Sequence, residues 1–129
     1  MSKTVSVALI GGGRTGSPLL SELLKHDYIQ VLGVADLNAT SPGIVMASAQ
    51  NIPCFSDPME MIKSVGKVDL LIEVSGDHHL KCLIKQHFEA NNNRHTIILH
   101  DLVVRLFLSL ATDSSVLLPS RHPDDDGIG

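Results

Sequence analysis

Cysteine is scarce in this chain of 129 residues. Its two cysteines, Cys54 and Cys82, form neither a CxxC pair nor a disulfide framework. That excludes a small disulfide-stapled domain and fits a reducing, cytoplasmic compartment. Both stand in apolar patterns, so buried thiols are expected. Positive charge is thin as well: 10 Lys and Arg stand against 14 Asp and Glu, for a net charge of -4, and the basic residues are scattered. A nucleic-acid surface needs them clustered, so that class of partner is set aside. No apolar run approaches the roughly 18 residues that a membrane-spanning helix requires. The start, Met1-Ser-Lys-Thr4, carries none of the marks of a signal peptide. Internal repeats and low-complexity tracts are absent, and no Ser/His/Asp or Cys/His nucleophile set is recognisable. Ser75 lacks the G-x-S-x-G elbow that would expose a nucleophile.

What the chain does have is a glycine turn in a telling place. The apolar run Val5-Ser-Val-Ala-Leu-Ile10 ends in three glycines, and a helical pattern follows at once. Gly11, Gly13 and Gly16 stand in the spacing G-x-G-x-x-G, in which each glycine has a separate task. Gly11 permits a tight turn out of the strand. Gly13, without a Cβ, leaves room for a diphosphate to approach the backbone. Gly16 lets the helix pack closely on the sheet. The first amides of that helix lack intrahelical partners, and the macrodipole favours an anion there. Arg14 and Thr15, inside the turn, are further candidates for phosphate contact. A second run, Ile29-Gln-Val-Leu-Gly-Val-Ala35, ends at Asp36, about 20 residues beyond Gly16. A carboxylate there accepts hydrogen bonds from adenosine ribose hydroxyls and repels a 2′-phosphate, so NAD is expected over NADP.

The remaining pattern alternates strand and helix. The first helix is expected over Arg14 to Lys25, with Leu19, Leu20, Leu23 and Leu24 on one face. Ser41-Pro42 reads as a side-chain cap and a preset first residue for a helix to about Asn51, weakened by Gly43 in its first turn. Ile52 to Ser56 reads as a short strand at the sheet edge, where Pro53 is tolerated. Asp57 caps the next helix, Pro58 opens it and Gly66 ends it. Val68 to Val74 is apolar enough for a parallel strand covered on both faces. Ser75-Gly76-Asp77 is a turn, with Asp77 as cap for a helix carrying Leu80, Leu83, Ile84, His87 and Phe88. After the Asn91-Asn92-Asn93 cluster comes a fifth strand, His95 to Leu99, then a helix from Leu102 to Thr112 capped by Asp101. Short loops and right-handed crossovers make this an α/β doubly wound parallel sheet in the order 3-2-1-4-5. The crevice lies where the order reverses, at the carboxyl ends of strands one and four. Three turns are expected to line it: Gly11 to Gly16, Ser75 to His79, with Ser75 and Gly76 at the cofactor, and His100-Asp101.

The last helix is apolar almost all round, through Leu102, Val103, Val104, Leu106, Phe107, Leu108, Leu110 and Ala111. Only one face can cover the sheet. The other is expected to meet a second copy, a following domain, or Val116-Leu117-Leu118 folding back. One domain is assigned to residues 1–112, and residues 113–129 read as a tail or linker. Histidines supply the remaining chemistry. His78, His79 and His100 stand near the expected crevice mouth, and His79 and His100 are weak candidates for an acid or base. No metal set is assigned, because adjacent His78 and His79 do not converge on one ion. Glu73, a carboxylate in an apolar strand, needs partners if buried and is read as structural or cofactor-adjacent.

GGGRTG, VADLN and LLIEVSGDHHL together resemble the nucleotide-binding Rossmann domain of the glucose-fructose oxidoreductase and inositol dehydrogenase family. Leu71-Ile-Glu73-Val-Ser-Gly76 also resembles the fourth-strand element of homoserine and aspartate dehydrogenases. The resemblance spans about residues 4 to 112 and implies an NAD-binding fold. It also marks departures. The sugar dehydrogenases carry an E-K-P motif whose lysine lies beside the nicotinamide, whereas here the stretch reads Ile98-Leu99-His100-Asp101-Leu102. The resemblance stops short of the substrate-binding half that would hold a hydride partner at reactive distance, so this stretch is expected to be the cofactor half only. Three functions follow as expectations. The first is a nicotinamide-binding or sensing module. The second is the cofactor half of a longer oxidoreductase, and the third is a nucleotide-free scaffold that dimerises through the last helix.

Overall fold

The computed structural model describes residues 3–121. The element order is β1 (Val5–Ile10), α1 (Gly16–Leu23), β2 (Ile29–Ala35), α2 (Pro42–Ala49), β3 (Cys54–Phe55), α3 (Pro58–Val65), β4 (Leu70–Glu73), α4 (His78–Ala90), β5 (Ile97–Leu99) and α5 (Asp101–Ala111). All strands are parallel, in one five-stranded sheet ordered β3-β2-β1-β4-β5, as the alternation of patterns required. Side chains on β1 alternate between two cores. Val7 and Leu9 join Leu20, Ala47, Ile72 and Val104 under α1, α2 and α5. Ala8 and Ile10 join Met61, Ile62, Leu71, Ile84 and Phe88 under α3 and α4.

Register decides where the strands end. Val7 pairs with Val31, and the next pair is Ala8 with Gly33, so Leu32 is an extra residue on β2. Ile10 then stands level with Ala35 on one side and Glu73 on the other. The three chains leave the sheet side by side, which brings Gly11, Asp36 and Val74 to one edge. β3 is a two-residue edge strand, and the carbonyl of Pro53 just before it accepts from Val34 N at 3.0 Å. A proline is tolerated there because it stands just before the paired residues of a short edge strand.

Helix starts follow the sequence in part. Asp57 Oδ1 accepts from Met59 N at 3.0 Å and Asp77 Oδ1 from Leu80 N at 3.1 Å, as side-chain caps. Gly66 ends α3 at φ 70°. Two expected caps are corrected. Ser41 holds the N-cap position of α2, but its hydroxyl makes no capping bond and is buried against the glycine turn. Asp101 is the first residue of α5 rather than its cap, because His100 alone completes the turn out of β5. From that position its Oδ2 accepts from Arg105 Nε at 2.7 Å, one helical turn on. The expected burial of both thiols is also corrected: Cys54 is exposed, since β3 is too short and too near the edge to be covered, and Cys82, on α4, is half-buried.

α5 packs on α1, on the face opposite α3 and α4. Val104 and Leu108 are buried, while Leu102, Leu106, Phe107 and Leu110 stay exposed. Residues 113–121 do not stand off as a linker. They run back beside α5: Leu118 N donates to Ser109 Oγ at 2.9 Å, Arg105 Nη1 donates to Leu118 O at 3.2 Å, and the Leu118 side chain packs on the first core. Of the Val116-Leu117-Leu118 segment only Leu118 closes onto the helix, and Val116 and Leu117 remain exposed. The rest of the proposed tail, from His122 on, lies outside the described residues.

Candidate functional site

The glycines of the turn have the separate tasks their spacing assigns. Gly11 has φ +104°, and a Cβ there would meet the backbone of Val74 and Ser75 at 3.2 Å. The chain therefore folds tightly over the end of β4 with no room for a side chain. A Cβ on Gly16 would lie 1.7 Å from Gly11 O, so α1 starts in direct backbone contact with the turn that precedes it. A Cβ on Gly13 would meet nothing within 4 Å. That face is open to whatever enters.

A second clamp was not read from the sequence. Gly43 N, in the first turn of α2, donates to Gly12 O at 2.7 Å, and a Cβ on Gly43 would fall 2.6 Å from Gly12 Cα. A glycine that weakens a helix start was the available signal of close backbone approach. Asp36 completes the arrangement. Its Oδ2 accepts from Gly12 N at 2.8 Å and its Oδ1 from Asn38 N at 2.9 Å. The carboxylate is thus fixed beside the turn, and each oxygen keeps a further acceptor site.

These parts surround a crevice of about 530 Å³. Gly11, Gly13, Arg14, Thr15, Gly16, Asp36 and Ser75 all line it, so seven of the eight residues expected at a cofactor are brought together. Gly76, at φ 78°, turns the chain behind Ser75 and is not part of the lining. Pro58, Asp77, Leu80 and Arg121 also line it. Asp77 belongs to the Ser75 to His79 turn expected there, and Pro58 stands at a helix start above a strand end, where the topology alone could have placed it. Arg121 arrives by the returning segment; a fold-back of Val116-Leu117-Leu118 was one expectation, but not that it would carry Arg121 to the crevice. α1 carries no acidic residue in its first turn, so its positive end is not neutralised by its own side chains.

Glu73, at the end of β4, is 1% exposed and lies behind Ser75 rather than in the lining. Its Oε1 accepts from both Ser75 N, at 2.8 Å, and Ser75 Oγ. Its Oε2 lies 3.2 Å from His100 Nδ1. The buried carboxylate therefore has partners on both oxygens and joins the crevice rim to the end of β5. The expected acid or base candidates are not at the crevice. His79, like His78, is exposed on the first turn of α4, and neither His79 nor His100 belongs to the lining. The His100 side chain is 13% exposed, and its Nε2 is buried without a partner among the described residues. Also among the described residues, no three His, Cys, Asp or Glu side chains converge as metal ligands. The Cys54 Sγ donates to Ile52 O at 3.4 Å, and partial desolvation of the sulfur raises the pKa of this thiol.

No family model matches the chain. Over 123 residues it is 24% identical to an acetaldehyde dehydrogenase of Spirochaeta aurantia, a match covering 94% of this chain and 37% of that enzyme. A myo-inositol dehydrogenase from Corynebacterium glutamicum superposes with a TM-score of 0.59 at 18% identity, over 83% of this chain and 32% of that one. GenD2 from gentamicin A biosynthesis, solved in complex with NAD, gives a TM-score of 0.59 at 16% identity, over 88% and 32%. The chain thus spans about a third of the length of the relatives it matches. The likeness shows a shared fold, that of the nucleotide-binding Rossmann domain in inositol dehydrogenases and related oxidoreductases, in agreement with the resemblance carried by GGGRTG, VADLN and LLIEVSGDHHL.

Proposed function

We propose that the crevice binds NAD and that the described chain is a nicotinamide-cofactor domain without a complete hydride-transfer site of its own. The observation that carries this reading is the placement of Asp36, held by Gly12 N at the edge of an open crevice, beside Gly13 with its unobstructed backbone. In this reading the turn amides and the positive end of α1 hold the diphosphate. Arg14 adds a cation, and Asp36 takes the adenosine ribose hydroxyls and disfavours a 2′-phosphate. Ser75, fixed by Glu73, presents its rim toward the nicotinamide half. Alone, such a domain reports the nicotinamide pool by binding. As part of a longer oxidoreductase it supplies the cofactor half, a reading favoured by the chain's spanning only a third of its dehydrogenase relatives. The exposed apolar face of α5 supports self-association of the chain through that helix.

Isothermal titration tests the central reading. NAD and NADH are expected to bind, NADP more weakly, and Asp36→Ala to lose the preference between NAD and NADP. No heat or saturation with any of the three at millimolar concentration would refute it.

A further inference from the structure

The returning segment, residues 113–121, does more than cover part of α5. It is anchored at three points along that helix: Leu118 N on Ser109 Oγ at 2.9 Å, Arg105 Nη1 on Leu118 O at 3.2 Å, and Ser120 Oγ on Asp101 Oδ2 at 3.5 Å. The anchors progress from the last turn of α5 to its first residue, so the segment climbs toward the carboxyl edge of the sheet. Its last described residue, Arg121, lines the crevice together with Arg14, Thr15 and Gly16. α5 lies on the same face of the sheet as α1. The climb therefore delivers a guanidinium to the side of the crevice where α1 begins.

We infer that Arg121 is a ligand-binding residue, a second cation that the strap 113–121 carries to the diphosphate of a bound dinucleotide. This rests on the crevice being a dinucleotide site. The charge balance supports it. The lining holds two carboxylates, Asp36 and Asp77, and two guanidiniums, Arg14 and Arg121. One carboxylate is committed to backbone amides of its own neighbourhood through Gly12 N and Asn38 N, and the other caps α4 through Leu80 N. Both arginines are then available for the two negative charges of a diphosphate. A guanidinium pairs with phosphate oxygens in a bidentate fork, which fixes direction as well as charge. The strap makes the contact conditional: Arg121 reaches the crevice only while residues 118–120 are docked on α5.

Titrations on the full chain, with NAD, ADP and adenosine as probes, test this. Arg121→Ala is expected to weaken NAD and ADP about tenfold, the scale of one charge-assisted contact, and to leave adenosine, which has no phosphate, unchanged. Ser109→Ala lies outside the crevice and removes the acceptor for Leu118 N. It is expected to weaken NAD by a similar factor, and the double variant to be no weaker than Arg121→Ala. Unchanged NAD affinity in Arg121→Ala would overturn the inference while leaving the crevice reading standing. Tighter binding would overturn it too, because the arginine would then be blocking the crevice. An equal loss for adenosine would place Arg121 on the wrong part of the ligand and would also defeat it. Failure of the unsubstituted chain to bind NAD or ADP would defeat the crevice reading itself, and this inference with it.

Discussion

Two glycines three positions apart separate the fold from the ligand. A Cβ on Gly16 would lie 1.7 Å from Gly11 O and 2.7 Å from Gly11 C. Both obstacles are backbone, so no rotamer change relieves them, and either α1 or the turn must shift. Overpacking of this kind costs about 1–3 kcal/mol, and a backbone clash belongs at the upper end. For a domain of this size, about 3 kcal/mol corresponds to a fall on the order of 10 °C in Tm. Gly13→Ala places its methyl where nothing lies within 4 Å, and Gly13 has no positive φ to strain. Its stability is expected to hold or to rise by about 0.4–1 kcal/mol, because alanine restricts the unfolded chain. Its NAD affinity is expected to fall at least about tenfold, since the methyl occupies space that a diphosphate needs. Thermal unfolding followed by circular dichroism gives the first quantity and isothermal titration the second. A Gly13→Ala protein that binds NAD like the parent would show that no phosphate approaches this backbone. A Gly16→Ala protein with an unchanged Tm would show that the turn is not packed as described.

Three further outcomes follow from buried and surface groups. Glu73→Ala removes the acceptor shared by Ser75 N, Ser75 Oγ and His100; a loss of about 2–4 kcal/mol in urea unfolding is expected from the cavity and the orphaned donors, and a loss under about 0.5 kcal/mol would contradict the burial argument. Asp69 accepts from Ser6 N at 2.9 Å and pairs with His95, and these hold its carboxyl below the ordinary carboxylate pKa. A depressed folded-state pKa contributes stability above the unfolded value that is lost as pH falls through the folded one. The stability difference between the parent and Asp69→Asn should therefore be constant near neutrality and shrink below about pH 4; a difference that grows on acidification would reverse the sign. Phe107→Asp, on the exposed face of α5, is expected to shift the gel-filtration volume toward a single chain, and an unchanged volume would remove the proposed self-association.

The sheet was legible because its signals are local and repeated. Each strand is an apolar run with a turn signal at its end, and each crossover is short, which leaves few topologies. The glycine turn was legible residue by residue, since Gly11, Gly13 and Gly16 differ in what a Cβ would meet, as the spacing implies. What escaped depends on register and rotamer. Ser41 has the composition of a cap, yet its hydroxyl is turned against Gly12 by the close approach of α2, which only Gly43 hinted at. Asp101 missed the cap position by one residue, enough to convert it from a cap into an i,i+4 partner of Arg105. Arg121 was not legible: Val116-Leu117-Leu118 offered a fold-back onto the last helix, but nothing in Pro119-Ser120-Arg121 marks where the chain goes next. Its docking hangs on hydrogen bonds to Ser109 and Asp101 that no periodicity announces.

The end of β5 bears on whether this domain could move a hydride unaided. The resemblance places a lysine there in the sugar dehydrogenases, and this chain has His100 followed by Asp101. Both turn into the fold: His100 Nδ1 faces Glu73 and its Nε2 is enclosed, while Asp101 Oδ2 is held by Arg105. An acid or base must reach the reacting atom directly or through one water, and neither side chain is aimed at the crevice. Among the described residues, the end of β5 therefore supplies no acid or base to the crevice. Leu102, directly after Asp101, is 60% exposed and begins the apolar face that continues through Leu106 and Leu110. The place where the crevice lacks chemistry is thus also where an uncovered surface starts.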